Sequence, residues 1–281
     1  MSGFDAGWLA LREHADTAAR ASILERVLKT ALPAREPLSV VDLGSGTGSN
    51  LRRLAPRLGG TQAWQLVDAA PALLDALPEQ LAEHGWTVGT DNEVIAHCDT
   101  AHVRITRDAA DLARDPIPVD ADLVTASALL DLVSRAWLDH LAAACAGRGA
   151  RVLLTLTVDG RLAWEPAMET DAAVRDLVAR HQRTDKGFGP ALGPDAPDAA
   201  VAAFARHGYS VETAASPWRL GPGNARLQQH LHAGWAAAAS EIAPTREAAI
   251  SDWLAHRMDL LAAGVGAVTV GHQDVLALPP S

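Results

Sequence analysis

The chain has 281 residues, of which 48% are hydrophobic, with a net charge of −10 and a pI of about 5.5. That is enough apolar material for one large folded domain and excludes global disorder. The acidic balance argues against a nucleic-acid partner, since the 24 basic residues form no cluster and only Lys29 and Lys186 are lysines.

Cys98 and Cys145 stand alone with no C-x-x-C spacing, which excludes a disulfide framework and suits a reducing compartment. The chain shows neither a basic leader followed by an apolar run nor an uncharged stretch of about 18 apolar residues. A cytoplasmic protein off the membrane is expected. Residues 4–32 read as one helix, with Trp8, Leu11, Ala15, Ala19, Ile23, Val27 and Leu28 along one stripe. Arg12, Asp16 and Arg20 are spaced four apart on the other face, as solvated charge pairs are. Pro33 and Pro37 close the helix and lead into a strand.

Val40 and Val41 end that first strand, and Asp42 sits at its carboxyl end. Gly44, Gly46 and Gly48 make a bare turn, and Leu51, Leu54 and Leu58 follow at helical spacing. Strand, glycine turn and helix form a cradle in which backbone N–H groups and a helix N-terminus face a ligand. The dinucleotide fingerprint G-x-G-x-x-G needs its third glycine at position 49, which is Ser49. An acid two residues before Gly44 repels a pyrophosphate and suits a ligand with a cationic amino group and no phosphate.

The run Val40-Val41-Asp42-Leu43-Gly44-Ser45-Gly46-Thr47-Gly48 resembles motif I of the class I S-adenosylmethionine-dependent methyltransferases. The resemblance implies an α/β fold: a seven-stranded Rossmann-like sheet, its seventh strand antiparallel. It implies S-adenosyl-L-methionine as cofactor, held by Asp42, Gly44, Ser45, Gly46, Gly48 and Asn50. Such enzymes lay an N-terminal helix over the cofactor, which would let Arg20, or Arg12, reach the methionine carboxylate.

Strand 2 is read over 64–68 and ends at Asp68, twenty positions after Gly48, where an acid accepts hydrogen bonds from ribose hydroxyls. Asp68 also suits a cap on the next helix, which opens with Pro71. That helix, over 71–84, is expected to break near Pro78. Residues 85–101 give no clear element beyond a turn at 89–92. Strand 3 is read over 102–106. By resemblance, Asp108 and Ala109 after it hold the adenine, with Asp111 as the alternative in another register. Strand 4 covers 120–127, and Ser127 opens the crevice where ligands of open α/β sheets bind. Asp131 beyond it is either a general base or orienting group for the acceptor, or a turn carboxylate before the helix capped by Ser134. That helix buries Trp137, Leu138, Leu141 and Cys145 and is expected to end at Gly147. Strand 5 covers 151–158.

The domain divides into an N-terminal helical segment (1–36), a cofactor-binding core (37–158), helical insertions at 159–207 and 216–265, and last strands at 208–215 and 266–278. The insertions hold helices expected over 170–183, 199–207, 224–242 and 245–263. They are expected to cap the active site, with Trp164, Phe188, Trp218 and Trp235 available to line it. His181, with Asp185 four residues on, is a second candidate base. The cap favours a small-molecule methyl acceptor and obstructs a macromolecule; a homodimer is compatible. No metal site is expected. Three readings stay open beside this one: a methyltransferase acting on protein or RNA, a non-catalytic S-adenosylmethionine binder, and an NAD-dependent enzyme, which Ser49 and Asp42 disfavour.

Overall fold

The computed structural model describes residues 5–89 and 94–280. Past Gly89, the turn expected at 89–92 lies outside these residues, as does the first residue of the expected N-terminal helix. The single helix expected there is two, α1 (Ala6–Ala19) and α2 (Ser22–Ala31). Arg20 leaves the helical region with φ −51° and ψ 135°. The Ala21 N–H then bonds the Asp274 carboxylate at 2.8 Å. The break moves Ile23 off the buried stripe, leaving it 52% exposed.

The chain continues through β1 (Leu38–Leu43), α3 (Ser49–Leu58), β2 (Gly60–Asp68), α4 (Pro71–Asp75) and α5 (Leu77–Glu83). Pro78 falls in the first turn of α5, where a missing N–H costs nothing. Then come β3 (Thr87–Val88), β4 (Val94–Cys98), β5 (Ala101–Ala109), β6 (Leu123–Ser127), α6 (Arg135–Arg148) and β7 (Arg151–Glu165). The last third holds α7 (Asp171–Gln182), α8 (Ala196–Ala205), β8 (Ser210–Ala215), β9 (Trp218–Leu220), α9 (Ala225–Ile242), α10 (Glu247–Ala262) and β10 (Ala267–Leu278).

The sheet order is β3-β4-β5-β2-β1-β6-β7-β10-β8, with β9 paired to β10. The strands β5, β2, β1, β6 and β7 are parallel neighbours, and β10 runs antiparallel between β7 and β8. This is the Rossmann-like methyltransferase sheet with its antiparallel last strand. Three strands exceed the seven expected. β3 and β4 extend one edge as a short antiparallel pair, and β9 falls in what reads from sequence as a wholly helical insertion. Two expected boundaries also move. The strand read over 102–106 runs to Ala109, so Asp108 and Ala109 lie in its last turn-free residues rather than in a loop. The helix expected to end at Gly147 ends at Gly149, whose φ of 64° lets its N–H reach the Cys145 and Ala146 carbonyls.

Each sheet face carries its own core. One packs α6 and α8 through Leu138, Leu141, Ala199 and Phe204. The other packs α2, α3 and α5 through Leu28, Leu51, Leu54 and Leu77 around Trp64. A third cluster lies apart from both. Past Val158, β7 runs on against the start of β10 as a two-stranded arm, to which β9 adds a third strand. On this arm α1, α7, α9 and α10 pack through Ala15, Val174, Leu177, Ala239 and Trp253. The segments expected to form a cap therefore build a β-arm roofed by helices, and α1 packs on it as well. Among the described residues no helix is long and apolar enough to cross a membrane.

Candidate functional site

The glycine turn joins β1 to α3 with three positive φ angles: 65° at Gly44, 54° at Gly46 and 81° at Gly48. L-residues enter this region at a cost of about 1–2 kcal/mol, so glycine is the residue the turn requires. The Ser45 N–H bonds the Val67 carbonyl at 3.0 Å, which ties the turn to β2. Gly48 is the N-cap of α3 and brings no side chain to it. A Cβ on Gly46 would lie 2.9 Å from Leu9 Cδ1, so the first turn of α1 covers Gly46. Glu13 of α1 also bonds the Arg52 guanidinium, whose Nη1 donates to the Thr47 carbonyl inside the turn at 2.6 Å.

Beneath the turn lies a buried polar relay. Asp42 is fully buried. Its Oδ1 accepts from Asn50 Nδ2 at 2.8 Å, and Asn50 Oδ1 accepts from Arg20 Nη1 at 2.8 Å. Asn50 Nδ2 also reaches Thr125 Oγ1 on β6 at 3.1 Å. The second Asp42 oxygen is buried with no hydrogen-bond partner, as is Ser45 Oγ. Burial raises the Asp42 carboxyl to about 7, against the opposing pull of Asn50 and Arg20. Arg20 thus arrives at the cradle, but on the inner side of Asn50. Its remaining nitrogens point between Glu25 at 3.5 Å and Asp274 at 3.9 Å, and it acts on Asp42 through Asn50. Asp274 was not singled out from the sequence. It is buried on β10 and accepts from the Ala21 N–H, the Leu156 N–H and Ser216 Oγ at 2.8, 2.8 and 2.6 Å.

At the end of β2, Asp68 takes the Gly46 N–H at 2.8 Å and the Ala70 N–H at 2.9 Å. It therefore braces the turn and caps the approach to α4 while keeping a lone pair free on each oxygen. Asp108 is exposed at the carboxyl end of β5 beside Val67, and it accepts from Gln65 Nε2 at 3.1 Å. Ala109 sits opposite Asp68. Asp111 instead closes its own turn with Ala113 and Asp115.

Ser127 ends β6 beside Thr155. The next residue, Ala128, has φ 54°, and Leu156 on β7 has φ 54° as well. Two non-glycine residues in the left-handed region, one just past the end of β6 and one within the neighbouring β7, mark strain of about 1–3 kcal/mol each, of the kind found at functional sites. Asp131 follows, partly buried. Desolvation raises its carboxyl to about 6 while the charge of Arg12 opposes the shift. Its carbonyl accepts from the Gly193 N–H and that of Val133 from the Leu192 N–H, at 2.9 Å each, which pins this loop to the excursion after α7.

The other candidate base stands differently. His181 Nε2 meets Glu241 of α9 at 3.1 Å, and its Nδ1 lies 3.4 Å from Lys186 Nζ. Asp185 is not its partner, because that carboxylate takes the N–H groups of Gly187 and Gly189 and shapes its own loop. Of the four aromatics expected to line a pocket, Trp164 and Trp235 pack edge to face within the cap, and the Trp164 indole donates to His232 at 3.2 Å. Phe188 docks on Trp137. Trp218 of β9 is buried in the cluster that α1 joins, where its indole donates to Asp16 of α1 at 3.1 Å. Among the described residues no group of three or more His, Cys, Asp or Glu is placed to hold a metal ion.

The unpaired Asp42 oxygen, the unpaired Ser45 hydroxyl and the side-chain-free turn fit a ligand that carries an ammonium group and no phosphate. No protein-family model and no curated protein matches the chain. Solved structures similar to it include phosphoethanolamine N-methyltransferase 2 of Haemonchus contortus in complex with phosphomonomethylethanolamine and S-adenosylhomocysteine. The identity is 14% over 92% of this chain and 53% of that one, with a TM-score of 0.44, so this chain spans about half of that protein. The cyclopropane synthase MmaA2 of Mycobacterium tuberculosis is 13% identical over 91% of this chain and 83% of its own, at a TM-score of 0.47. A SAM-dependent methyltransferase of Geobacter sulfurreducens, in complex with S-adenosylhomocysteine, is 16% identical over 96% and 98%, at 0.46. Likeness at this level does not reach individual residues.

Proposed function

We propose that this chain is an S-adenosylmethionine-dependent methyltransferase acting on a small molecule. The observation that carries the reading is a buried carboxylate, Asp42, set under a three-glycine turn with one oxygen unpaired. A buried charge without a counter-charge is costly, and the ammonium of the methionine moiety supplies one. Arg20 and Asn50 hold the Asp42 carboxylate in place. Asp68 offers its free lone pairs to the ribose hydroxyls, and Asp108 with the Ala109 backbone flanks the adenine. Leu9, which lies on Gly46, shifts as the ligand settles over the glycines.

When bound, the cofactor supplies a methyl group on a cationic sulfur, which leaves as a neutral thioether as the acceptor's lone pair takes the carbon. The chain's part is to hold the acceptor in line and keep water out, which supplies several kcal/mol. Asp131, in the crevice after β6, takes the acceptor's proton. Its raised pKa places it close to a useful working range for a base. A helix-roofed arm beside this crevice and a charge of −10 both suit a small acceptor better than a nucleic acid.

Calorimetry with S-adenosylmethionine, S-adenosylhomocysteine and NAD tests the reading. Binding of the first two and not of NAD is expected. Binding of NAD alone overturns it.

A further inference from the structure

The β4–β5 hairpin at one edge of the sheet is covered on one face only. Its strands are joined by a two-residue turn, Asp99-Thr100, which sets Cys98 opposite Ala101 and His97 opposite His102. The pair that closes such a turn exchanges hydrogen bonds, so the next pair out is of the non-bonded kind, with Cβ atoms about 4.5–5.5 Å apart. Side chains alternate between the two faces. Ala96, Ala101 and Val103 turn into the core, while Ile95, His97, His102 and Arg104 face outward and are exposed. Cys98 packs on the core side and is no neighbour of the histidines.

The His97 and His102 rings lie 5.8 Å apart between centroids, with 27° between their planes. Among the described residues neither ring has a hydrogen-bond partner. By contrast, the Gln80 carbonyl holds His84 and Glu241 holds His181. Free of such ties, both imidazoles turn about χ2, a broad torsion in histidine. Two imidazoles on one ion, at metal–nitrogen distances of about 2.0–2.1 Å, have ring centres roughly 4.5–6 Å apart, and the observed separation falls in that range. The same row continues to both sides, with Thr61 of β2 opposite His102 and Thr87 of β3 opposite His97. The charged residues beside the pair, Asp99 in the turn and Arg104 one row along, have opposite signs, so ligand type and not net charge selects the ion.

We propose that His97 and His102 form a surface site for one divalent transition-metal ion, bound by one nitrogen of each imidazole, with water on its remaining positions. Imidazole suits copper, nickel and zinc, with copper(II) the tightest, and does not suit magnesium or calcium. Two protein ligands make this a site for an exchangeable ion, since a structural zinc takes four. The Thr61 and Thr87 hydroxyls flank the pair and can accept hydrogen bonds from the bound water. The ion would clamp β4 to β5. It takes no part in methyl transfer: His102 and Asp108 are at opposite ends of β5, roughly 20 Å apart. The inference is independent of the methyltransferase reading.

The test titrates the full-length protein, free of any histidine tag, with Cu2+, Zn2+ or Mg2+ alone. Pulsed electron paramagnetic resonance of the first equivalent of Cu2+ should show two imidazole nitrogens. In calorimetry His97→Gln and His102→Gln should each weaken that equivalent by about ten-fold or more, and the double variant should add little to either. Saturating Zn2+ should raise the Tm of the wild type and leave both variants in place, and Mg2+ should move none of them. The proposal is overturned if the wild-type spectrum shows fewer than two imidazoles, if either variant binds the first Cu2+ as tightly as wild type, or if Mg2+ binds as tightly as Cu2+. The spectrum of the wild type decides the matter without reference to how the variants fold.

Discussion

Replacing Asp42 by Asn acts on stability and on binding in opposite directions. Asn keeps the shape and an oxygen for Asn50 and removes the charge. The Asp42 carboxyl rises from 3.8 to about 7, chiefly through burial. A carboxyl with a raised folded pKa holds its proton more tightly folded than unfolded. Below pH 3.8 it costs the fold nothing; stability falls as pH rises from there, and above about 7 the full cost is present. At about 1.36 kcal/mol per pKa unit that cost is on the order of 4 kcal/mol. Unliganded Asp42→Asn should therefore be the more stable protein at pH 8, with Tm higher by up to roughly 8 °C, and should lose this advantage near pH 4. Binding goes the other way. Removing one partner of a buried charge pair costs about 2–5 kcal/mol, which weakens S-adenosylmethionine by roughly 30- to 4,000-fold. Thermal unfolding at both pH values and calorimetry at pH 8 read the two effects. A variant that is less stable at pH 8, or that binds as tightly as wild type, would refute the cradle as described.

Gly46→Ala puts a side chain at φ 54° and within 2.9 Å of Leu9 Cδ1, so calorimetry should find S-adenosylmethionine affinity down at least about ten-fold. Asp68→Ala removes a charged acceptor of ribose hydroxyls and of the Gly46 N–H; at about 1.5–3 kcal/mol, affinity should fall roughly 10- to 150-fold in a competition assay. Asp131 must be ionised to take a proton, so methyl transfer followed with a tritiated methyl group should decline as pH drops through about 6. Asp131→Asn should flatten that acid limb and lower kcat/KM by about 10²–10⁴. Asp274→Ala leaves Arg20 without one counter-ion and strands three donors in the core; a loss of about 3–5 kcal/mol should lower Tm by roughly 6–10 °C in a thermal melt.

The strand-turn-helix at 38–58 is legible because its signals are local. Val40 and Val41 mark a buried strand, three glycines mark positive φ, and Leu51, Leu54 and Leu58 repeat at helical spacing. For the same reason α9, α10 and β10 fall within two residues of their expected ends. The break at Arg20 is not legible, since what ends α1 is a carboxylate 254 positions further on. The pairing of His181 fails in the same way: four-residue spacing brings Asp185 near, but Glu241 from another helix takes the imidazole. Asp274 gave no signal at all, because a lone aspartate in an apolar strand has no motif to betray it; only the fold brings the Ala21 N–H, the Leu156 N–H and Ser216 Oγ to it.

By itself the chain's sequence determined the cradle, the seven main strands with the long helices between them, and the acid that lies under the glycines, because turn geometry and burial periodicity are properties of neighbouring residues. Only the tertiary structure decided what each buried face meets: that Arg20 serves Asp42 through Asn50, that α1 packs with α7, α9 and α10 on the β-arm, and that Asp274 ties α1, β7 and Ser216 together. A period of two or 3.6 residues says which side of an element is hidden. It says nothing about the partner across the gap, which is chosen when distant segments compete to satisfy the same buried polar atoms.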